Sequence, residues 1–468
     1  MSISSSLANA ISGLNVASRR AEVVSNNISN AQTEGYGRRE LMTSSNWSGV
    51  QSHGIVRHVD PGLTADRRSA ESQLGGDQRS AVMLGKLEAV IGVPGGEGTI
   101  ADRLAAFENA LVSAATDPAS DLRLGAVNDA MKSVTQALHT ASDAVQTLRQ
   151  DADATIAFDI EALNTNLLRV EQLNANISRT RATGGDTANL FDARQQVVDD
   201  INAIVPIREL NRGNDQLGLM TSSGMILIDG KASQFDFGRT PTIEANMTLA
   251  SGGLTGITRN GQPLDAENGF GRLSGGSLAA AFVQRDSTLV AAQSGLDDLA
   301  FDVVSRFADL SVDPTIGLMG LLTDAGSAAI VSNITGLSAR LELNAAVDPA
   351  QGGLLSRWRD GVGAVTVGSI GNATQLESWR VALTSYGGQA VSDRAASLSE
   401  TISLQRLTAE QELSFTSARW DSLHNAELAT GVDTDVELQN LLLVEQAYAA
   451  NAKVIQTVNA MIQQIMEI

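Results

Sequence analysis

The sequence predicts a mainly α, elongated, multidomain fold with a β insertion: a long antiparallel helical bundle from both termini plus a small β-domain. Three observations predict it. Apolar residues step by three and four along the first and last thirty or so positions, and along roughly sixty positions in between. Only 4% of residues are aromatic, so the cores must be built from Ala, Leu, Val and Ile, which suits close-packed helices better than a sandwich. Between 205 and 275 the pattern changes to short apolar runs separated by turn dipeptides.

The first element is a helix over about 1–30. Ile3, Leu7, Ala10, Leu14, Ala17, Ala21, Val24 and Ile28 repeat every seven residues and form a narrow seam whose alanines permit close approach of a partner helix. Asn30 through Gly37 reads as helix stop and turn. A strand is expected over 50–59. Helices follow at about 64–92, interrupted at Gly75-Gly76, and at 100–115.

A much longer helix opens near Asp121, after Asp117-Pro118, and runs to Thr183-Gly184-Gly185. Unbroken, it would span roughly 90 Å. Its stripe (Val127, Met131, Val134, Leu138, Ala141, Val145) gains an extra residue of phase at Ile156 and Ile160, a stutter that locally unwinds a supercoil. A helix over 187–204 leads into the β insertion, with apolar runs at 216–221, 225–228, 243–249 and 254–258 between Ser223-Gly224, Asp229-Gly230 and Asn260-Gly261. Helices then return at about 276–310, 373–384 and 389–429, with short strands expected at 338–347 and 362–370.

The last helix, about 432–468, mirrors the first. Leu441, Val444, Tyr448, Ala452, Ile455, Val458, Ile462 and Ile465 step by three and four behind the capping oxygens of Asp433 and Thr434, and Glu437 adds charge to the first turn. Residues 1–70 carry seven Arg against five acids, while residues 391–468 carry eleven acids against four Lys/Arg, so the two ends are complementary in charge. They read as one helical pair, although many globular proteins also close a bundle with their first and last helices. This gives three nested units: 1–45 with 425–468, 46–204 with 276–424, and 205–275.

The composition excludes much chemistry. The chain of 468 residues has no cysteine, which removes disulfides, thiolate metal sites and Cys nucleophiles. Four histidines (His53, His58, His139, His424) make no i, i+4 pair. The net charge of −20 argues against nucleic acid as a partner. No apolar run approaches the roughly 18 residues of a membrane span, and the first residues lack a cleavable signal peptide, so neither membrane nor signal-dependent export is expected. No hydrolase, nucleotide or zincin motif occurs. Catalytic residues, metal ligands and cofactors are therefore expected to be none.

The stretch from Ser25 to Arg38 contains Asn26, Asn27, Asn30, Thr33, Gly35, Tyr36 and Arg38 in the pattern Asn-Asn-x-x-Asn-x-x-Thr-x-Gly-Tyr-x-Arg. It resembles the N-terminal signature of bacterial flagellar axial proteins. Leu441 through Ile455, with Gln446, Tyr448 and Ile455, looks like the matching terminal helix of that group. The combination with a sixty-residue helix resembles the hook-associated protein 1 family in particular. The segments Asp117–Val127, Ala188–Gln196 and Gly275–Asp286 are similar to stretches of the same family, whereas 307–325 departs from it.

The resemblance implies a structural adaptor that polymerises at the hook–filament junction after type III export, located in the extracellular flagellum. The implied partners are further copies of itself in a ring or helical layer, the hook protein, the next hook-associated junction protein, the export apparatus, and an export chaperone on Leu441–Ile465. The expected assembly interface is Ile3, Leu7, Leu14, Val24, Asn26, Asn27, Ile28, Asn30, Thr33, Gly35 and Tyr36 at one end. At the other it is Leu441, Val444, Gln446, Tyr448, Asn451, Ile455, Val458, Ile462 and Ile465. Such polar, alanine-rich helices are expected to be frayed in the monomer and to fold on assembly. The rival readings are a rod or hook subunit and an exported protein whose insertion recognises a surface. An exported wall hydrolase would need two convergent acids among Asp215, Asp229, Asp236, Glu244, Asp265 and Glu267.

Overall fold

The computed structural model describes residues 3–33, 35–47, 49–264 and 268–467. Of the residues singled out above, Asp265 and Glu267 lie outside these. In chain order, helix α1 (Ile3–Ser29) is followed by an antiparallel hairpin of β1 (Arg38–Asn46) and β2 (Gly49–His58). Next come α2 (Pro61–Ile91), α3 (Ile100–Thr116), α4 (Asp121–Ala182) and α5 (Ala188–Ile204). The insertion holds β3 (Ile207–Arg212), β4 (Gln216–Thr221), β5 (Ile226–Asp229) and β6 (Lys231–Ala232) in one antiparallel sheet. A second sheet contains β7 (Phe235–Phe237), β8 (Ile257–Arg259) and β9 (Gln262–Pro263). The return path is α6 (Gly276–Val283), a π-helical turn (Gln284–Thr288) and α7 (Leu289–Phe307). It continues through β10 (Leu322–Asp324), α8 (Leu337–Arg340), β11 (Leu341–Leu343), α9 (Ser356–Asp360) and α10 (Thr374–Ser385) to α11 (Val391–Thr430) and α12 (Thr434–Met466).

Helix α4 is the spine, and it serves two cores. Leu124 through Val145 face a core shared with α2, α3, α7, α10 and α11. Ile156 through Leu173 face another, shared with α5, α6 and the insertion. The stutter falls at the handover between them, because the stripe must rotate to meet new neighbours. The scarce aromatics are concentrated here. Phe107, Phe307, Trp358 and Trp379 interlock in the first core with ring centroids 5.4–6.1 Å apart. Phe237, Phe270 and Phe282 do so in the second.

Several expectations need correction. Helix α2 is continuous through Gly75-Gly76. Those glycines serve packing: a Cβ on Gly76 would lie 3.2 Å from the Gly276 carbonyl oxygen, so their small size lets the start of α6 approach α2. The helix expected over 276–310 is divided by the π-helical turn at Arg285, which is fully buried with Asp153. Its guanidinium donates to Asp153 at 2.6 Å and to the Thr255 carbonyl at 3.0 Å.

The run 243–249 is not a strand. Arg149 of α4 takes the carbonyls of Glu244 and Met247 at 3.1 and 2.7 Å, which pins this stretch as a loop. The expected strand 254–258 shrinks to β8. The expected strand 338–347 is the helical turn α8 followed by β11, paired with β10. Segment 362–370 is irregular: buried Asp313 accepts the Val362 N–H at 2.8 Å and Asp360 accepts that of Gly368 at 3.1 Å. The strand expected at 50–59 exists as β2, and its partner β1 emerges from the turn region.

Candidate assembly surface

The terminal helices pack antiparallel. Gly13 of α1 lies opposite Asn451 of α12, and Arg38, just past α1, reaches Glu437 at the start of α12 with a 2.8 Å ion pair. On α12 the buried positions Glu437, Val444 and Val458, with half-buried Asn451, recur every seven residues. Leu441, Ile455 and Ile462 flank them, half-buried. On α1, Ala10, Ala17, Val23, Val24 and Asn27 are buried, while Leu7, Leu14 and Ile28 are half-buried.

Three seam residues are exposed in the single chain. Tyr448 remains 45% exposed and Ile465 61% exposed, and Ile3 is also exposed. Gln446 also faces outward, as do Leu438, Leu442, Leu443, Val454 and Met461.

The signature turn has a specific architecture. Asn27 is fully buried; its Nδ2 donates to the Arg39 carbonyl at 2.9 Å, and its Oδ1 accepts the Arg39 N–H at 3.0 Å. The Tyr36 hydroxyl donates to the same Oδ1 at 2.9 Å, and burial pushes the Tyr36 phenol pKa up. Asn30 Nδ2 donates to the Asn26 carbonyl at 2.9 Å, and the Thr33 hydroxyl donates to Asn30 Oδ1 at 3.2 Å. Gly35 adopts φ 76°, the left-handed conformation that a glycine takes without strain. The spaced Asn, Thr, Gly and Tyr are thus the parts of one helix-to-hairpin corner. Asn26 and Thr33 stay exposed on its outer side, beside Asn189 and Gln196.

This corner is bolted to the helical body by charge. Asp192 of α5 receives Arg39 at 2.5 Å and Arg57 at 2.6 Å, all three being largely buried. Asn189 accepts from Arg39 at 2.7 Å. A second cluster lies next to it: Arg67 pairs with Asp199 at 2.8 Å and with Glu427 of α11 at 2.5 Å, and Arg68 pairs with Asp199 and Glu209. Burial works against charge on Arg67 and Arg68, yet the surrounding carboxylates hold both pKa values above the ordinary one. On the same helix as Asp192, Arg194 has no carboxylate in contact among the described residues. It donates to Asn174 Oδ1 and the Asp215 carbonyl, each at 2.8 Å, and burial lowers its pKa to about 10.

The sequence pattern did not single out Arg39 and Arg57. They carry no periodicity, and their partner Asp192 is 153 and 135 residues away. A weak signal existed in Asp192 itself, within the Ala188–Gln196 segment.

No group of three or more metal-ligating side chains is gathered among the described residues. In the insertion, Asp215 pairs with Arg181 and Asp229 with Arg212. No helix among the described residues is long and apolar enough to cross a membrane.

Comparison with known proteins agrees with this layout. The family described as "Flagellar hook-associated protein FlgK helical domain" matches residues 84–312. "Flagella basal body rod protein" matches 7–36, and "Flagellar basal body rod FlgEFG protein C-terminal" matches 428–468. The chain is similar to Flagellar hook-associated protein 1 of Escherichia coli (strain K12), 26% identical over 320 residues, covering 61% of this chain and 57% of that protein. It is 25% identical over 247 residues to the protein of the same name from Salmonella typhimurium, covering 50% and 44% respectively. The alignments thus span about half the length of these curated relatives. A solved structure, the flagellar hook junction protein FlgK from Burkholderia pseudomallei, aligns with TM-score 0.45 at 16% identity, covering 56% of this chain and 47% of that one. With rod-type sequences matched at both termini and the hook-associated helical domain matched between them, the chain is similar to flagellar axial proteins of the hook-associated protein 1 type.

Proposed function

We propose that this protein is a non-enzymatic structural adaptor that polymerises at the hook–filament junction of the extracellular flagellum. The observation that carries this reading is the terminal pair. The hairpin that follows α1 is braced to the body through Asp192, yet α12 leaves Leu442, Leu443, Tyr448, Val454, Met461 and Ile465 in water. A helix with an unburied apolar face gains by lateral association.

In this reading 1–45 with 425–468 form the inner layer, 46–204 with 276–424 the helical body, and 205–275 an outward projection. Leu7, Leu14, Val24, Leu441, Val444, Asn451, Ile455, Val458 and Ile462 hold the pair together. Asn27, Gly35 and Tyr36 set the corner, and Ile28 and Asn30 support it. Ile3, Asn26, Thr33, Gln446, Tyr448 and Ile465 remain for neighbouring subunits. The partners are further copies, the hook protein and the next junction protein. Export proceeds through the flagellar type III apparatus, with a chaperone on Leu441–Ile465 before assembly.

A deletion strain tests the reading. Intact hooks, absent filaments and flagellin secreted unpolymerised are expected. Loss of the hook itself would instead indicate a rod or hook subunit.

A further inference from the structure

We propose that the terminal unit, α1 with the β1–β2 hairpin and α12, swings as one body on a two-strand hinge, and that Asp192 of α5 is the clasp that holds it at one angle. The inference concerns the single chain and does not depend on the adaptor reading.

The boundary between this unit and the helical body carries no shared apolar core. Among the described residues, both cores of the body draw on no side chain of α1, β1, β2 or α12. The terminal unit has its own buried set instead, including Ala10, Ala17, Val24, Leu41, Val444 and Val458. Units that meet through polar contacts, without a large hydrophobic interface, move against each other by default.

The polar contacts across the boundary converge on one face of α5, where Asn189, Asp192 and Gln195 follow at three-residue spacing. Asn189 and Asp192 accept from Arg39 at 2.7 and 2.5 Å. Asp192 and Gln195 accept from Arg57 at 2.6 and 2.5 Å. Asp192 also accepts the Gly37 N–H at 3.3 Å. It is the one carboxylate of the three and the residue that touches both arginines. The arginines travel with the terminal unit. Asn27 of α1 holds the Arg39 backbone through both its N–H and its carbonyl, and neighbouring Arg38 pairs with Glu437 of α12. Helix α1, the hairpin and α12 are thereby tied to one another at the corner, so opening the clasp frees them together.

The hinge is where the chain crosses the boundary. Two residues separate β2 from α2, and three separate α11 from α12. Val59 and Asp60 of the first link and Gly431 and Val432 of the second line one crevice of about 70 Å³, so the crossings lie side by side and define a single axis. Asp60 caps α2 by accepting the Gly62 and Leu63 N–H groups at 2.9 and 3.1 Å. Asp433 caps α12 by accepting those of Asp435 and Val436 at 2.9 and 3.2 Å. With these first-turn donors satisfied locally, rotation at Val59 and at Gly431 breaks no hydrogen bond inside α2 or α12.

The chain has no cysteine, so spin labels can be placed in pairs on the full-length monomer and their distances read by pulsed electron paramagnetic resonance. Labels at Q51C on the hairpin and E161C on α4 report the angle, and labels at E22C on α1 and Q51C report the integrity of the terminal unit; all three positions are exposed. With Asp192 in place, both pairs should give one narrow distance. D192N should widen the Q51C/E161C distribution about twofold or more, or add a second distance, and leave E22C/Q51C unchanged. R57Q opens the clasp from the hairpin side and should act in the same direction, to a smaller extent. Widening of both pairs by D192N would mean that the unit loosens internally instead of swinging, and overturns the inference. A Q51C/E161C distribution that stays narrow in both variants would mean that other contacts fix the angle, and overturns it as well. A distribution already broad with Asp192 intact leaves no clasped state and does the same.

Discussion

Asn27 and Arg39 close a two-bond ring. The Asn27 amide donates to the Arg39 carbonyl at 2.9 Å and accepts the Arg39 N–H at 3.0 Å, with no part of Asn27 exposed. A side chain on α1 thereby stands in for a missing strand partner at the start of β1.

The neighbouring asparagines of the signature should therefore separate experimentally. N27A strands a buried backbone donor and acceptor and the Tyr36 hydroxyl, and should cost about 2–4 kcal/mol. N27D should fare nearly as badly, since it presents a carboxylate to the Arg39 carbonyl. N26A should leave the melting temperature of the monomer unchanged and act only on assembly. Equal thermal shifts for N26A and N27A would contradict the assignment.

Asp192 is shared by two arginines, so D192N leaves both without a counter-charge. We expect a loss on the order of 3 kcal/mol, confined to the docking of the terminal pair on the body. Limited proteolysis between 30 and 60 should accelerate while the α4 core stays resistant. Unchanged cleavage would show that the bolt lies elsewhere.

Adjacent glycines in α2 should respond with opposite sign. A Cβ at Gly75 meets the Ala203 carbonyl oxygen at 3.4 Å, an ordinary contact, so G75A should stabilise by up to about 1 kcal/mol through helix propensity. At Gly76 the nearest atom is backbone oxygen at 3.2 Å, so G76A should destabilise by about 1–2 kcal/mol. Urea titrations of the two variants check this.

The terminal pair should be the least protected part of the molecule. Only Glu437, Val444 and Val458 of α12 are buried, against an almost unbroken stripe on α4. Amides of α12 in the monomer should exchange about a hundredfold faster than those of α4, or faster still. Strong protection throughout α1 and α12 would remove the expectation that this pair orders on assembly.

Acid sensitivity should come from three aspartates. The Tyr386 hydroxyl and Ser311 N–H lower the pKa of Asp309, and Arg359 and Gly368 lower that of Asp360. For Asp348, burial pushes the pKa up, but Lys132 and the Ala350 N–H outweigh it. Each pKa is depressed on folding, so the stability each contributes is complete above about pH 4, the unfolded value, and is lost as pH falls through the folded value. Thermal midpoints should be flat in this respect from pH 7 to 5 and drop below about 4. D360N should flatten part of that drop, and an unchanged acid limb would count against the Arg359 pairing.

The helical fold was legible because its signal is local. Seven-residue spacing marks the seam at Ala10, Ala17 and Val24, and a phase slip at Ile156 marks where α4 changes neighbours. Capping residues such as Asp433 set a start that neighbouring side chains alone can fix. The short apolar runs were ambiguous for the opposite reason. Whether 243–249 pairs as a strand depends on Arg149, nearly a hundred residues earlier, taking its carbonyls. The signature letters could be read as a turn, but not as a corner in which Asn27 serves Arg39 and Tyr36.

The sequence by itself determined the helices, their seams and the kinship of both ends, since these follow from periodicity and short motifs. Only the tertiary structure decided which charges meet. Asp192 with Arg39 and Arg57, Asp199 with Arg67 and Arg68, and Asp153 with Arg285 join elements more than 130 residues apart. The tertiary structure also decided which seam residues stay wet, because burial depends on what a partner helix covers: Val444 is buried, while the ring of Tyr448 is left 45% exposed.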